Sequence, residues 1–335
     1  MSNNCHISWS KLDQLILKAD TILLSTHIHS DGDGIGSELA FYQYLVDLGK
    51  ECRIINPSEI PNKLKFLDSC NKVETFNSVH VNWLNNVDLS IIFDIGDYKR
   101  LKEISNYLHN SKTVSIDHHP SKSCNFFDYK IIDSNSPATG FMLWEYFYYH
   151  LNMKELSKNI SDALYTALAT DTGFFRYSNT TAKSHTVAAH LIGCGTNPYE
   201  IYSQVHEQRN HSQVKLLAKV IQNLEFSDDG KFSWFTITQN MLNECDAILE
   251  DVDGFTNFSR SINGVEIAVM FVEVDKHTTR INFRSKGQYS INDIAIRLGG
   301  GGHQFAAGAL VKERDLQEVK LNTISLVKQK LSEKK

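Results

Sequence analysis

Three short apolar runs in the first 120 residues each end in a cluster of Asp and His. Thr21–Thr26 (TILLST) leads into His27-Ile-His-Ser-Asp31-Gly-Asp33-Gly-Ile-Gly36-Ser37, Val87–Phe93 (VDLSIIF) into Asp94-Ile-Gly-Asp97, and Thr113–Ile116 (TVSI) into Asp117-His118-His119. Each run has the length and β-branched content of a buried strand. Between them the spacing predicts a helix from about Ser37 to Leu48, with Leu39, Tyr42, Leu45 and Val46 on one face and Gly49 as its C′ residue. A strand Cys52–Ile55 and a helix from Asp97 to His109 complete the pattern. Strands alternating with helices read as βαβ units, hence an α/β domain with a mostly parallel sheet flanked by helices. The carboxyl ends of such strands open onto one crevice, where ligands bind. Three distant segments thus deliver carboxylates and imidazoles to one place.

After Asp133 the chain turns helical. Ser136-Pro137 is an N-cap and first-turn signature for a helix Ala138–Leu151 rich in aromatics, and further helices are expected over Glu155–Thr170 and Ala182–Ile192. The first of these two ends at Asp171-Thr-Gly173, a fourth acidic motif placed to complete the wall. Asn197–Leu224 reads as a polar helical connector. Strands return at Phe232–Ile237, Val265–Val274 and Thr279–Ser285, followed by a short helix Ile291–Leu298, the run Gly299–Gly302, and a tail helix from Lys312. At about 150 residues per domain, 335 residues suggest two domains. We therefore divide the chain into an α/β domain that carries the acidic motifs (1–195), a helical connector (196–225) and a smaller α/β domain with a mixed sheet (226–330).

Carboxylates converging with imidazoles repel one another if left bare, and bound cations are the usual remedy. Oxygen and imidazole donors without thiolates suit Mn²⁺ better than Ca²⁺. Asp31 and Asp33 can each face a different ion, and Asp94 can bridge both. Two ions about 3.5–4 Å apart are the apparatus for in-line displacement at phosphorus, with a bridging water as the hydroxide nucleophile. Each motif has a plainer explanation. Asp-Gly-Asp-Gly is often a turn, Asp94 could cap a helix, and a His pair is often packing. The loop is no EF-hand, since Ile35 stands at the third acidic position, and no Walker A loop, since Gly-Lys-[Ser/Thr] is missing. It is their joint placement at strand ends that favours one site. A fifth motif, Gly299-Gly-Gly-Gly302-His303, offers backbone N–H groups to an anion, and Arg284-Ser285 adds a guanidinium fork.

The formal net charge is −5, so the broad basic field that drives duplex binding is absent. No run of about 18 apolar residues is present, so no transmembrane helix is expected. The start lacks a basic segment followed by an apolar one, which points to the cytoplasm rather than secretion. Cys5, Cys52, Cys70, Cys124, Cys194 and Cys245 are scattered without a Cys-x-x-Cys pair. They read as semi-buried thiols rather than a disulfide framework or zinc site.

Taken together these motifs resemble the DHH phosphoesterases, the family named for the Asp117-His118-His119 signature. Within them the chain is similar to the two-domain oligoribonuclease and pAp phosphatase (NrnA-type) group. The resemblance spans nearly the whole chain. It includes a DHH-associated C-terminal domain marked by Arg284-Ser-Lys286 and Gly300-Gly-Gly-His303-x-x-Ala306-Ala-Gly308. It implies one Mn²⁺ on His27, Asp31 and Asp94 and a second on Asp33, Asp94, His118 and Asp171. It further implies that His119 touches the scissile phosphate and that Asp117 orients a ligand. Arg284, Ser285, Gly301, Gly302 and His303 would hold the far end of the substrate. Arg176 is a further phosphate-ligand candidate, with a structural ion pair as its alternative. Ser30 stands where the family commonly has Pro, and His29 is an extra imidazole beside the site, treated as a bystander.

The implied activity is Mn²⁺-dependent hydrolysis of single-stranded RNA or DNA oligonucleotides of about two to five nucleotides, by analogy with the family. The products would be mononucleotides, with pAp 3′-phosphatase as a second activity. An interdomain cleft would measure substrate length. The partners are then short oligonucleotides and pAp, not a membrane, and a homodimer is left open. The nearest rival is a cyclic di-AMP or pApA phosphodiesterase, which shares the metal chemistry. A RecJ-like exonuclease would need more domains, and an inorganic pyrophosphatase lacks the glycine run. A catalytically inactive nucleotide-binding protein on the same scaffold is the rival of another class.

Overall fold

Ile22, Leu23 and Leu24 are all fully buried, because the strand they form has a layer of structure on each face. In the computed structural model, which describes residues 8–119 and 126–333, this strand is β1 (Thr21–Ser25). It is the third of six in the first unit. The others are β2 (Glu51–Asn56), β3 (Val73–Thr75), β4 (Leu89–Phe93), β5 (Lys112–Asp117) and β6 (Tyr129–Ile132). All pairings are parallel, in the order β3-β2-β1-β4-β5-β6. The order reverses between β1 and β4, and at such a switch point the loops leaving two neighbouring strands diverge and open a crevice.

The period-2 alternation of a strand sends Ile22, Leu24, Ile91 and Phe93 to one face. There they join the aromatic core of Phe41, Tyr146 and Phe147. Leu23 and Ile92 go to the other, with Leu101, Ile104 and Leu108. The helices of this unit are α1 (Trp9–Lys18), α2 (Gly32–Asp47), α3 (Val81–Leu84), α4 (Thr139–Glu145), α5 (Lys158–Asp171), α6 (Ala182–Gly193) and α7 (Pro198–His206). α2, α4 and α5 carry the larger core.

Several local expectations are corrected. The helix after β1 starts at Gly32, capped by Asp31, not at Ser37. The glycines read as a loop are the first turns of α2, where it lies against α5: a Cβ on Gly36 would sit 2.3 Å from the Ala163 carbonyl oxygen. The segment 97–109 is 3₁₀-helical and broken at Lys102, whose φ is 53°. The aromatic helix begins at Thr139 with Ala138, not Ser136, as N-cap, and widens into a π-helical turn over Tyr146–His150. Strands β3 and β6 lie in stretches where no strand was expected.

The chain divides into two units, Met1–Gln208 and Arg209–Lys335, within the segment read as a connector. The second unit opens with α8 (His211–Gln222) and holds a mixed sheet. Its strands are β7 (Glu225–Phe226), β8 (Phe232–Ile237), β9 (Ile267–Asp275), β10 (Thr278–Ser285), β11 (Gly301–His303) and β12 (Ala306–Lys312), ordered β11-β12-β10-β9-β8-β7. Only β8 and β9 pair in parallel. Helices α9 (Gln239–Glu244) and α10 (Phe255–Ser261) join α8 against one core. α11 (Asn292–Arg297) and α12 (Leu316–Ser332) cover the other.

Among the described cysteines, Cys52 and Cys194 are half-buried, Cys245 is buried and Cys70 is exposed, and none is paired. Cys5 and Cys124 lie outside the described residues. No helix of the described residues is long and apolar enough to cross a membrane.

Candidate metal centre

The carboxyl ends of β1, β4 and β5 place His27, Asp94, and Asp117 with His118 and His119, side by side. Asp94 follows β4 directly, and its backbone is left-handed, with φ of 51°. The conformation is unfavourable for a side chain, costing about 1–2 kcal/mol. It is held by the Asp94 N–H donating to the Ile116 carbonyl at 3.0 Å. The turn sends the two carboxylate oxygens to different neighbours. Oδ2 lies 3.6 Å from His27 Nε2, and Oδ1 lies 3.4 Å from His118 Nε2 and 3.2 Å from His119 Nδ1. Asp94 is 1 % exposed.

Each neighbour is oriented by its own local structure. Asp31 caps α2 through Oδ1, which accepts from the N–H groups of Asp33 and Gly34, and Oδ2 remains 3.8 Å from His27 Nε2. Asp33, in the first turn of α2, accepts from Thr139 N at 2.7 Å and Gly140 N at 2.8 Å. It therefore supplies the cap that Ala138 cannot, satisfying the orphan donors of α4 from another segment. Asp117 accepts from Gly96 N, from His119 N and from His119 Nδ1 at 2.9 Å. Asp117 thus fixes the His119 ring. Below the site, Asn56 donates to buried Glu38 at 2.6 Å and accepts from Thr26 N at 3.1 Å, pinning the end of β1.

His118 shows what the arrangement is built for. Its Nδ1 lies 3.2 Å from the Ser136 carbonyl, an acceptor, so Nδ1 carries the donated proton. Its Nε2 is buried without a hydrogen-bond partner. It faces Asp94, Asp171 and Asp33 oxygens at 3.4, 3.5 and 3.7 Å. The nitrogen is aimed at a point shared by three carboxylates rather than at any one of them. His27, Asp31 and Asp94 form a second group whose donor atoms converge in the same way, and Asp94, His118 and His119 a third.

The electrostatics express the crowding. Burial and then the charge of Asp94 push the Asp33 carboxyl well above its ordinary range. Burial raises Asp171 to about 7 against the pull of His118. Burial works to raise Asp94 too, but the imidazoles of His118, His119 and His27 outweigh it and hold it well below. Burial opposes charge on His118 and His119. Asp94 lifts His118 to about 10 with help from Asp33 and Asp171, and Asp117 with Asp94 lifts His119 to about 11. The raised groups mark where a cation would supply the positive charge. This donor set, oxygen and imidazole with an orphaned Nε2, fits divalent cations.

The structure thus brings together all six sequence-derived ligand candidates, His27, Asp31, Asp33, Asp94, His118 and Asp171, with Asp117 and His119 beside them. Arg176 is exposed and ties its Nε to the Gly173 carbonyl at 2.8 Å, within its own loop. His29, with φ of 53°, donates its backbone N–H to Ser58. In the second unit, His303 and Arg284 flank Ala306 in register on either side of β12. Arg284 donates to the Phe283 carbonyl at 2.9 Å. Ser285 is buried, and its hydroxyl accepts from Gly287 N. The glycine run is partly strand: Gly301 and Gly302 pair with β12. A Cβ on Gly302 would come within 2.6 Å of Ala306 backbone, and its φ of 135° favours glycine.

One site residue escaped the sequence reading. Arg100 places Nη2 2.6 Å from His27 Nδ1. Nothing in its spacing marks it, since it sits inside an amphipathic segment like any surface arginine.

Comparison with known proteins agrees with this geometry. Residues 21–168 match the DHH family, N-terminal domain, and residues 243–333 match the DHHA1 domain. The bifunctional oligoribonuclease and PAP phosphatase NrnA of Thermus thermophilus is 30 % identical over 97 % of this chain and 95 % of its own length. The NrnA of Bacillus subtilis is 29 % identical over 91 % of this chain and 94 % of its own. A crystal structure of an exopolyphosphatase-related protein from Bacteroides fragilis superposes with a TM-score of 0.89, at 25 % identity, covering 96 % of each chain.

Proposed function

The chain belongs to the DHH family, and from that premise we propose that it is a Mn²⁺-dependent phosphoesterase that hydrolyses short oligoribonucleotides to mononucleotides and removes the 3′-phosphate of pAp. The observation that carries the reading is the His118 Nε2, buried, without a hydrogen-bond partner and facing Asp33, Asp94 and Asp171 together. Similarity to two bifunctional oligoribonuclease and PAP phosphatases over nearly their whole length supports the substrate class.

In this reading His27, Asp31 and Asp94 hold one cation and Asp33, Asp94, His118 and Asp171 the other. Bound cations supply the positive charge that activates a water and takes up charge on the phosphoryl oxygens. The protein's own groups do the rest. Asp94 presents one oxygen to each side of the centre, fixed by its left-handed backbone. Ser136 fixes the His118 tautomer, and the N-terminus of α4 holds Asp33. Asp117 holds His119 by Nδ1, so the ring is set to touch the scissile phosphate. In the second unit Arg284, Ser285, Gly301, Gly302 and His303 bind the substrate's far end through the guanidinium and backbone N–H groups.

A hydrolysis panel tests the reading: a 5′-phosphorylated RNA dinucleotide, a 24-nucleotide RNA, pAp and cyclic di-AMP, each with Mn²⁺ and with EDTA. Rapid release of mononucleotides from the dinucleotide, with turnover of pAp and a nearly untouched 24-mer, is expected. EDTA should abolish both. Preference for cyclic di-AMP would reassign the substrate and leave the metal centre standing. Undiminished turnover in EDTA would overturn the mechanism.

A further inference from the structure

The peptide unit that joins Phe93 to Asp94 is gripped from both sides. Its N–H donates to the Ile116 carbonyl on β5 at 3.0 Å, and its carbonyl accepts from the Thr26 hydroxyl, just past β1, at 2.9 Å. The two grips differ in kind. Toward β5 the bond continues the backbone ladder, in which Phe93 pairs with Ile116. Toward β1 the register ends with Ser25 opposite Ile92. The next pair along would be Thr26 and Phe93, and there a side chain makes the tie. The residues after these are His27 and Asp94. Strand ends diverge at a switch point, so the Thr26 hydroxyl carries the tie one residue past the ladder, up to the ligands themselves.

Thr26 is in turn held by its surroundings. Its N–H donates to Asn56 Oδ1 at 3.1 Å, and Asn56 Nδ2 donates to Glu38 Oε1 at 2.6 Å. Thr26, Asn56 and Glu38 are all fully buried. On another side α2 closes on the hydroxyl, since a Cβ on Gly34 would lie 2.4 Å from Thr26 Oγ1. The absence of a side chain at residue 34 leaves room for that oxygen.

The consequence falls on Asp94. A peptide plane held at both its N–H and its C=O cannot rotate, and this plane is one of the two that set the Asp94 φ of 51°. Asp94 sends one oxygen toward His27 and the other toward His118, so rotation of the plane would swing both. We propose that Thr26 is a positioning residue for metal binding: its hydroxyl orients the Asp94 carboxylate by fixing the peptide that precedes it. The inference rests on the metal centre of the reading above.

Calorimetric titration with Mn²⁺ tests it in Thr26→Val and Thr26→Ser. Valine keeps the shape and loses the donor, whereas serine keeps the donor and loses a methyl group. Both should lower the urea midpoint in EDTA, valine by stranding a buried carbonyl and serine by leaving space in the core. Stability therefore does not separate them, and Mn²⁺ affinity should. It is expected to fall about tenfold or more in Thr26→Val, the usual scale of a partner that orients a ligand, and to stay at the wild-type value in Thr26→Ser. Thr26→Ala against Thr26→Ser gives the same comparison, donor absent against donor present, should the valine variant not fold. Wild-type affinity without the hydroxyl, or an equal loss in the serine variant, would overturn the inference and leave the metal centre standing. A wild type that binds no Mn²⁺ would overturn the metal centre and the inference with it.

Discussion

Asp33 holds two positions at once, and replacing it by Asn separates them. Its carboxylate takes the Thr139 and Gly140 N–H groups at 2.7 and 2.8 Å and also faces His118 Nε2 at 3.7 Å. In Asp33→Asn one backbone donor meets an NH₂ group and goes unsatisfied, a cost of about 1–3 kcal/mol. The carboxyl removed is, however, pushed well above its ordinary range by burial and by Asp94. Relief of that repulsion offsets much of the lost bond. In EDTA the variant should therefore lie within about 2 kcal/mol of the wild type. Mn²⁺ changes the comparison. At a hundred times its Kd a cation bound only to the folded state stabilises by about 2.7 kcal/mol, and the variant forfeits most of that on the Asp33 side. Urea unfolding followed by tryptophan fluorescence reads the first unit, which holds Trp9, Trp83 and Trp144 of the four tryptophans. Equal stabilisation of both proteins by Mn²⁺ would refute the ligand role. A variant already unfolded in EDTA would show that anchoring α4 dominates.

Three further outcomes are expected. Because carboxylates lift His118 to about 10 and burial lifts Asp171 to about 7, at neutral pH without metal His118 holds a proton and Asp171 is protonated in part. Mn²⁺ must displace these protons, so apparent affinity should rise with pH up to these values. Calorimetry in buffers of different ionisation enthalpy should show proton release, and zero release would contradict the charge assignment. Asp117→Asn should lower kcat about tenfold or more through the freed His119 ring, the usual scale of an orienting partner, while the Mn²⁺ affinity of the His27 side is unchanged. Gly36→Ala should destabilise the first unit by about 1–3 kcal/mol through overpacking, because its Cβ would meet the Ala163 backbone at 2.3 Å. A thermal melt unaffected by the alanine would mean that α2 and α5 can separate without cost.

What could be read from the chain and what could not divide along a physical line. β1, β4 and β5 were legible because buried parallel strands are short continuous apolar runs, and Asp94 and His118 were legible because they stand directly after two of them. The start of α2 was not. Asp-Gly-Asp-Gly is turn chemistry by local rules, and only the backbone of α5 against Gly36 explains glycine inside a helix. The cap of α4 was misassigned for a similar reason. Ser136-Pro137 satisfies the local signature, but the donors of Thr139 and Gly140 are met by Asp33, more than a hundred residues earlier. Arg100 is a third instance, since its meaning lies in a contact across seventy-three positions with His27. Local sequence reports what a residue can do with its neighbours in the chain, whereas these three turn on partners supplied by the fold.

The same distinction explains where the strain sits. Asp94 and His29 have φ near 50°, and Gly173, Phe174 and Phe175 follow Asp171 with φ of 57°, 54° and 64°. Left-handed backbone at bulky residues persists only where surrounding structure over-determines it. Here the determinants are visible: Phe174 packs its ring on Tyr202 and His206, and Phe175 stacks on His185. Asp94 is locked to β5 through Ile116. Acidic groups that repel one another would, on relaxed loops, move apart. Strained turns that the core enforces fix them so that they converge on one point. The cores and the sheet supply that work, and it follows that loosening Phe174 or Phe175 should weaken Mn²⁺ binding although neither touches a ligand atom. In Phe175→Ala the Mn²⁺ affinity should fall with both the His27 and His118 side chains intact, and an unchanged titration would show that the centre does not depend on its strained rim.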